Sequence, residues 1–221
     1  MSTNLKISGA LVVVALAVVL GLVIAGGQSD EPTAAKPSPD TVASTPVVRA
    51  DTHKLDVAAD GKVTLVEFLD FECEACAAVY PLIEELRQQF AGRMTFAIRY
   101  FPLPGHRNGK IAAQAVEAAS KQGKLEPMYK RMYETQKEWG ESEDSKKDVF
   151  LGYAEDLGLD MTKFRADLES PATIARIEKD MQDGANLGVV STPTLFLDGE
   201  MMNLQSAEQL RADIEAAFSA R

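Results

Sequence analysis

Residues 63–76 read Val-Thr-Leu-Val-Glu-Phe-Leu-Asp-Phe-Glu-Cys-Glu-Ala-Cys. Val63 to Phe71 is apolar on both alternating faces, as a strand covered on both sides must be. Cys73 and Cys76 follow at once. Val79, Leu82, Leu86 and Phe90 then recur at spacings of three and four before Gly92, which predicts a helix with the cysteines in its first turn. Met94, Phe96, Ile98 and Tyr100 alternate with Thr95, Ala97 and Arg99 up to the Pro102 and Pro104 loop, predicting a second strand. The simplest assembly is a βαβ unit with the cysteine pair at the C-terminal end of its first strand, where open α/β sheets place their sites.

Downstream come about eighty residues of helical pattern: an Ala-rich stretch from Lys110 to Lys121, then Leu125, Met128, Met132 and Tyr133, then Val149, Phe150, Tyr153 and Leu157. Asp160 can cap a short helix bearing Phe164 and Leu168. Ser170-Pro171, a cap followed by proline at the first helical position, opens another with Ile174, Ile177 and Met181. The block reads as a helical insertion over residues 107–187. Strand returns at Thr194 to Leu197, Asp198-Gly199 is a tight turn, and Glu200 to Asn203 can pair back. Ser206 and Gln209 form a capping box for a closing helix with Leu210, Ile214, Ala217 and Phe218 on its apolar face. One α/β domain is expected over residues 51–221.

Ahead of that domain, Ile7 to Gly26 is apolar apart from Ser8 and glycines, and twenty residues at about 1.5 Å each span the roughly 30 Å of bilayer hydrocarbon. Lys6 precedes the run while Asp30 and Glu31 follow it, so residues 1–6 are expected in the cytoplasm and the rest outside. A cleaved signal sequence ending near Ala25-Gly26-Gly27 is the alternative to a single-pass anchor. Residues 27–50, rich in Ser, Thr, Ala and Pro, read as a disordered linker. The 221 residues carry a formal net charge of -10, which argues against binding nucleic acid by charge.

The two cysteines are the only ones in the chain, and C-x-x-C spacing alone fits a redox pair, half of a metal site, or a structural bridge. Four zinc ligands are not evident, because His53 and His106 are single and far apart in sequence. A bridge closing so short a loop removes little unfolded-state entropy. A thiol at a helix start sees unpaired N–H groups and the positive end of the dipole, which favour thiolate. Redox chemistry is therefore expected, with no metal and no cofactor. Glu67 shares a strand face with Val63, Leu65, Leu69 and Phe71, where a carboxylate is costly unless used or paired. His106, after Pro104-Gly105, reads as a solvated loop histidine, with a place near the site as the alternative. Trp139, Tyr133 and Met132 read as core rather than as a peptide groove.

The run from Glu67 to Cys76, Pro81 in the following helix, the helical block, and Ser191-Thr192-Pro193-Thr194 before the late strand together resemble the thioredoxin superfamily. They resemble more closely its DsbA-type extracytoplasmic disulfide oxidoreductases, whose α/β thioredoxin-like fold carries a helical insertion between a βαβ half and a ββα half. The resemblance implies that Cys73 is the exposed attacking thiol and Cys76 its buried partner. It implies that Pro193 is a cis-proline beside the pair and that Thr192 offers backbone groups to an extended substrate. An acid placed as Glu67 is implies a proton relay to the buried thiol, against a partly exposed strand edge or an ion pair.

Between the cysteines that family's best-known members carry Pro-His, and this chain carries Glu74-Ala75. Glu74 is expected to raise the Cys73 pKa and weaken the oxidant, setting a potential between roughly -120 mV and roughly -270 mV. The resemblance implies an oxidase acting on unfolded exported proteins with free cysteines and reoxidised by a membrane partner of the DsbB or vitamin K epoxide reductase type. The alternatives are a reductase or isomerase, including the cytochrome c maturation kind, and a tethered binding module without turnover.

Overall fold

The computed structural model describes residues 45–220. The expected membrane segment 7–26 and residues 27–44 of the linker lie outside the described residues. Among those described, no helix is long and apolar enough to cross a membrane.

A five-stranded mixed sheet orders its strands β1-β3-β2-β4-β5. The strands are β1 (His53–Asp56), β2 (Val63–Leu69), β3 (Met94–Tyr100), β4 (Thr194–Leu197) and β5 (Glu200–Met201). β2 and β3 run parallel in the register Glu67↔Ile98 and Phe68↔Arg99, and the other pairings are antiparallel. Helix α1 (Glu74–Gln89) crosses between β2 and β3 as the βαβ pattern requires. β2 and β3 are buried throughout except for a half-buried Thr64, which is why their sequences lack polar alternation.

Six helices intervene before β4: α2 (Gly109–Ser120), α3 (Leu125–Glu134), α4 (Gln136–Trp139), α5 (Lys147–Asp156), α6 (Met161–Leu168) and α7 (Pro171–Asn186). This is the expected insertion. α8 (Ala207–Ser219) closes the chain. The three caps read from sequence are made: Asp160, Ser170 and Ser206 accept from the backbone N–H of Lys163, Thr173 and Gln209 at 3.1, 3.2 and 3.1 Å. Trp139 lies in the core, edge-on to Phe150 with ring centroids 4.8 Å apart. α7 comes close against the sheet because residue 184 is glycine, where a Cβ would meet the Phe101 ring at 2.7 Å.

Three boundaries differ from expectation. β1 has no counterpart in the sequence pattern: His-Lys-Leu-Asp shows no alternation, and β3 pairing makes it a strand. β5 stops at Met201 rather than Asn203. β2 stops at Leu69 rather than Phe71, because the Asp70 carboxylate turns back to accept from Glu72 N (2.9 Å) and the Asp70 carbonyl accepts from Cys73 N (3.2 Å). That turn places Cys73 at the N-cap, one residue ahead of the helix proper.

Candidate active site

The turn after β2, the start of α1 and the loop before β4 meet at the cysteine pair. Both thiols are free. Cys73, in extended conformation (φ -70°, ψ 120°), is 5% exposed, and Cys76, one turn into α1, is fully buried. The expected open thiol is thus covered: the segment before β4 lies against Cys73, whose Sγ–H donates to the Thr192 carbonyl oxygen at 3.3 Å. The Thr192–Pro193 bond is cis. Among the described residues the buried Thr192 Oγ1 has no hydrogen-bond partner, so its hydroxyl is free to turn toward a thiolate.

The two thiols are driven apart in acidity. A hydrogen bond from Cys76 holds Cys73 down to about 5, and Thr192 and the N–H groups of Cys76 and Ala75 add to it against the opposing effect of burial. Burial first, then the hydrogen bond to Cys73 and the charge of Glu67, push Cys76 well above the ordinary thiol range. Glu74 is not among the groups that chiefly set Cys73: it is exposed, and its carboxyl faces that of Glu141. Ala75 is also exposed and contributes its backbone N–H.

Glu67 lies beneath the pair, 2% exposed, with Oε2 unpartnered. It is not at an exposed edge, and among the described residues it has no ion-pair partner. Burial above all, then the charges of Cys73 and Glu84, push its carboxyl up to about 8. From the insertion, Tyr129 and Tyr133 of α3 pack their rings on Phe71, and their buried hydroxyls also lack partners. His106 is not a solvated loop residue. Its Nδ1 lies 2.5 Å from Asp70 Oδ2, and the same oxygen accepts from Leu103 N at 2.8 Å. Glu72, 1% exposed, accepts from Asn108 N at 2.5 Å. Asp70, Glu72 and Tyr129 escaped sequence reasoning, and Tyr133, read there as core, lies in the core beside the pair; acids at 70 and 72, flanking a strand end that should be apolar, were the available signal. No group of three or more His, Cys, Asp or Glu side chains is placed to hold a metal among the described residues.

The thioredoxin family model described as Thioredoxin_4 matches residues 58–216. The chain belongs to the thioredoxin family. With its paired thiols Cys73 and Cys76 it is a thiol-disulfide oxidoreductase of DsbA-like fold, thioredoxin-like with a helical insertion. It is 36% identical over 159 residues to a Na(+)/H(+) antiporter NhaA of Herminiimonas arsenicoxydans, a match covering 72% of this chain and 24% of that protein. The chain thus spans about a quarter of the length of the curated relatives it matches. A thioredoxin-like oxidoreductase from Silicibacter pomeroyi superposes with a TM-score of 0.65 at 24% identity, covering 83% of this chain and 99% of that one. Alpha-DsbA1 of Wolbachia pipientis gives 0.68 at 17% identity, covering 78% and 94%.

Proposed function

We propose that the domain acts as an oxidase, passing the Cys73–Cys76 disulfide to exported proteins with free cysteines. The observation that carries this is the split between a Cys73 thiol held at about 5 and a buried Cys76 held well above the ordinary thiol range. A pair whose reduced form is stabilised by a thiolate is a strong oxidant. The split favours the oxidising half of the range between roughly -120 and -270 mV.

In the first step a substrate thiolate attacks Sγ of Cys73, the Cys73–Cys76 bond breaks, and Cys76 leaves with the electron pair. Glu67, still protonated at neutral pH, gives Cys76 its proton; the raised Glu67 carboxyl and the effect of its charge on Cys76 support this. A second substrate thiolate then attacks the substrate sulfur of the mixed disulfide, and Cys73 leaves as a thiolate, the better leaving group of the pair. The substrate loses two electrons and the pair gains them. Thr192 and cis-Pro193 hold the substrate backbone beside Cys73 by a short strand addition. A membrane partner of the DsbB or vitamin K epoxide reductase type reoxidises the pair.

The site of action is the outer side of a membrane, with segment 7–26 as a single-pass anchor. Its apolar length supports this, and so do relatives named as Na(+)/H(+) antiporters. Trapping thiols in intact cells by rapid alkylation tests the direction: the oxidase reading expects Cys73 and Cys76 mostly as disulfide. A mostly reduced pair overturns it in favour of a reductase, and a Cys73→Ser chain that keeps full biological activity overturns turnover altogether.

A further inference from the structure

Cys73 sits in acidic surroundings. The Asp70 carboxylate, 1% exposed, lies three residues before it and fits only because residue 109 is glycine, where a Cβ would come within 2.7 Å of Oδ1. Glu72, as deeply buried, is next to it in sequence. Glu74 of α1 and Glu141 after α4 are exposed, and line one cleft with Glu72 and Lys137 of α4. The buried carboxylates Asp70 and Glu72, left to themselves, favour the neutral thiol. The main chain ties Asp70 to Cys73 through the 3.2 Å bond from Cys73 N to the Asp70 carbonyl, which holds the two residues in one turn. The group that answers the Asp70 carboxylate comes from 36 residues away: His106 Nδ1, 2.5 Å from Asp70 Oδ2, on a loop whose Leu103 N–H grips the same oxygen. Burial works against a charge on His106, but Asp70, Cys73 and Glu72 outweigh it and raise its pKa above the ordinary histidine value. Arg107, beside it in the loop, is exposed.

We propose that His106 is a positioning residue of the exchange reaction: as an imidazolium clamped on Asp70, it cancels the buried carboxylate beside Cys73 and lets the thiolate persist there. The loop thereby supplies the cation that Glu74-Ala75 between the cysteines does not. The inference rests on reading Cys73 as the attacking thiol.

The test is a pH titration of thiolate absorbance in the full-length chain carrying Cys76→Ser, so that one thiol titrates. His106→Gln keeps a donor toward Asp70 and removes the charge; it raises the Cys73 midpoint by roughly one pH unit. Adding Asp70→Asn brings the midpoint back, and His106→Lys holds it near the parent value. An unmoved midpoint in His106→Gln, with urea unfolding either unchanged or weakened, makes His106 a loop fastener and overturns the proposal. So does a rise that persists in the double variant. A parent midpoint in the ordinary thiol range is a different failure, because it sinks the activated Cys73 and His106's role with it; a low parent midpoint that ignores His106 sinks only the latter.

Discussion

On one face of the sheet Arg99 of β3 meets Asp180 and Asp183 of α7 at 2.5 and 2.7 Å; on the other, Glu67 of β2 lies under the cysteines with an unpartnered oxygen. The two side chains are almost neighbours, since Glu67 pairs with Ile98 and Phe68 with Arg99, and the pleat turns them to opposite faces. Both are buried, but their chemistry diverges. Arg99 also donates to the Val47 carbonyl at 2.8 Å, Arg49 reaches both aspartates at 2.9 and 2.5 Å, and Tyr100 N donates to Asp180 at 3.2 Å. Although burial opposes it, hydrogen bonds from Lys179, Arg49 and Arg99 hold Asp183 below the usual carboxylate range. A buried carboxylate given partners keeps its charge and fastens residues 46–49 to α7. Denied partners, as at Glu67, it is pushed toward keeping its proton.

The largest effect separating the two clusters is expected from Arg99→Met. Removing one partner of a buried ionic network leaves charges uncompensated, so stability falls by about 3 to 5 kcal/mol. Urea unfolding at neutral pH measures this. The Cys73 thiolate midpoint should stay where it is, because the sheet separates it from Arg99. A loss below about 1 kcal/mol would mean that Arg49 and Arg176 take over the aspartates, so that no single residue is the fastener.

Glu67→Gln should act in the opposite direction. The folded-state carboxyl titrates at about 8 against 4.5 when free, so the folded protein binds this proton more tightly than the unfolded chain. Its stabilising contribution is therefore full below about pH 4.5 and is lost as pH rises through about 8. Glutamine, which has no charge to bury, should make the reduced protein more stable on the order of a few kcal/mol above about pH 8 and leave it unchanged near pH 4. Urea midpoints at the two pH values decide the matter. Equal effects at both would remove the protonated carboxyl from the comparison and with it the proton given to Cys76.

Much of this frame is legible in sequence because it is written locally. β2, α1, β3 and the caps of α6, α7 and α8 follow from periodicity and from single residues such as Asp160 and Ser170. β1 does not, because its strand state is lent by β3 across forty residues of chain. In the site, Glu67 stands out as an acid in an apolar run. The Asp70–His106 contact joins residues 36 apart, and only the fold brings them together. The covering of Cys73 is equally invisible, since it depends on where the Thr192 carbonyl lies. Glu74 misleads for a physical reason: adjacency in sequence suggested a field at the thiol, but at the start of α1 its side chain turns outward to Glu141.

The smallest expected effect sharpens the contrast furthest. Tyr133 packs on Phe71 and Tyr80 with ring centroids 5.2 and 5.1 Å away, and its buried hydroxyl has no protein partner. In the Arg99 cluster, loss of a polar group leaves partners stranded. Here nothing is stranded, so Tyr133→Phe should change stability by less than about 1 kcal/mol, on the favourable side if at all. Burial above all, then the charges of Cys76 and Glu67, raise the Tyr133 pKa, so Tyr133 and Glu67 share one environment. Taking the hydroxyl away leaves the Glu67 carboxylate in a still less polar site and should raise its titration above about 8, readable from the carboxyl signal of carbon-labelled glutamate. A loss of more than about 2 kcal/mol would show that the hydroxyl satisfies a partner after all. The pocket under the cysteines would then be a completed network like the one on the opposite face, and its unpaired groups could not be what sets Glu67 apart.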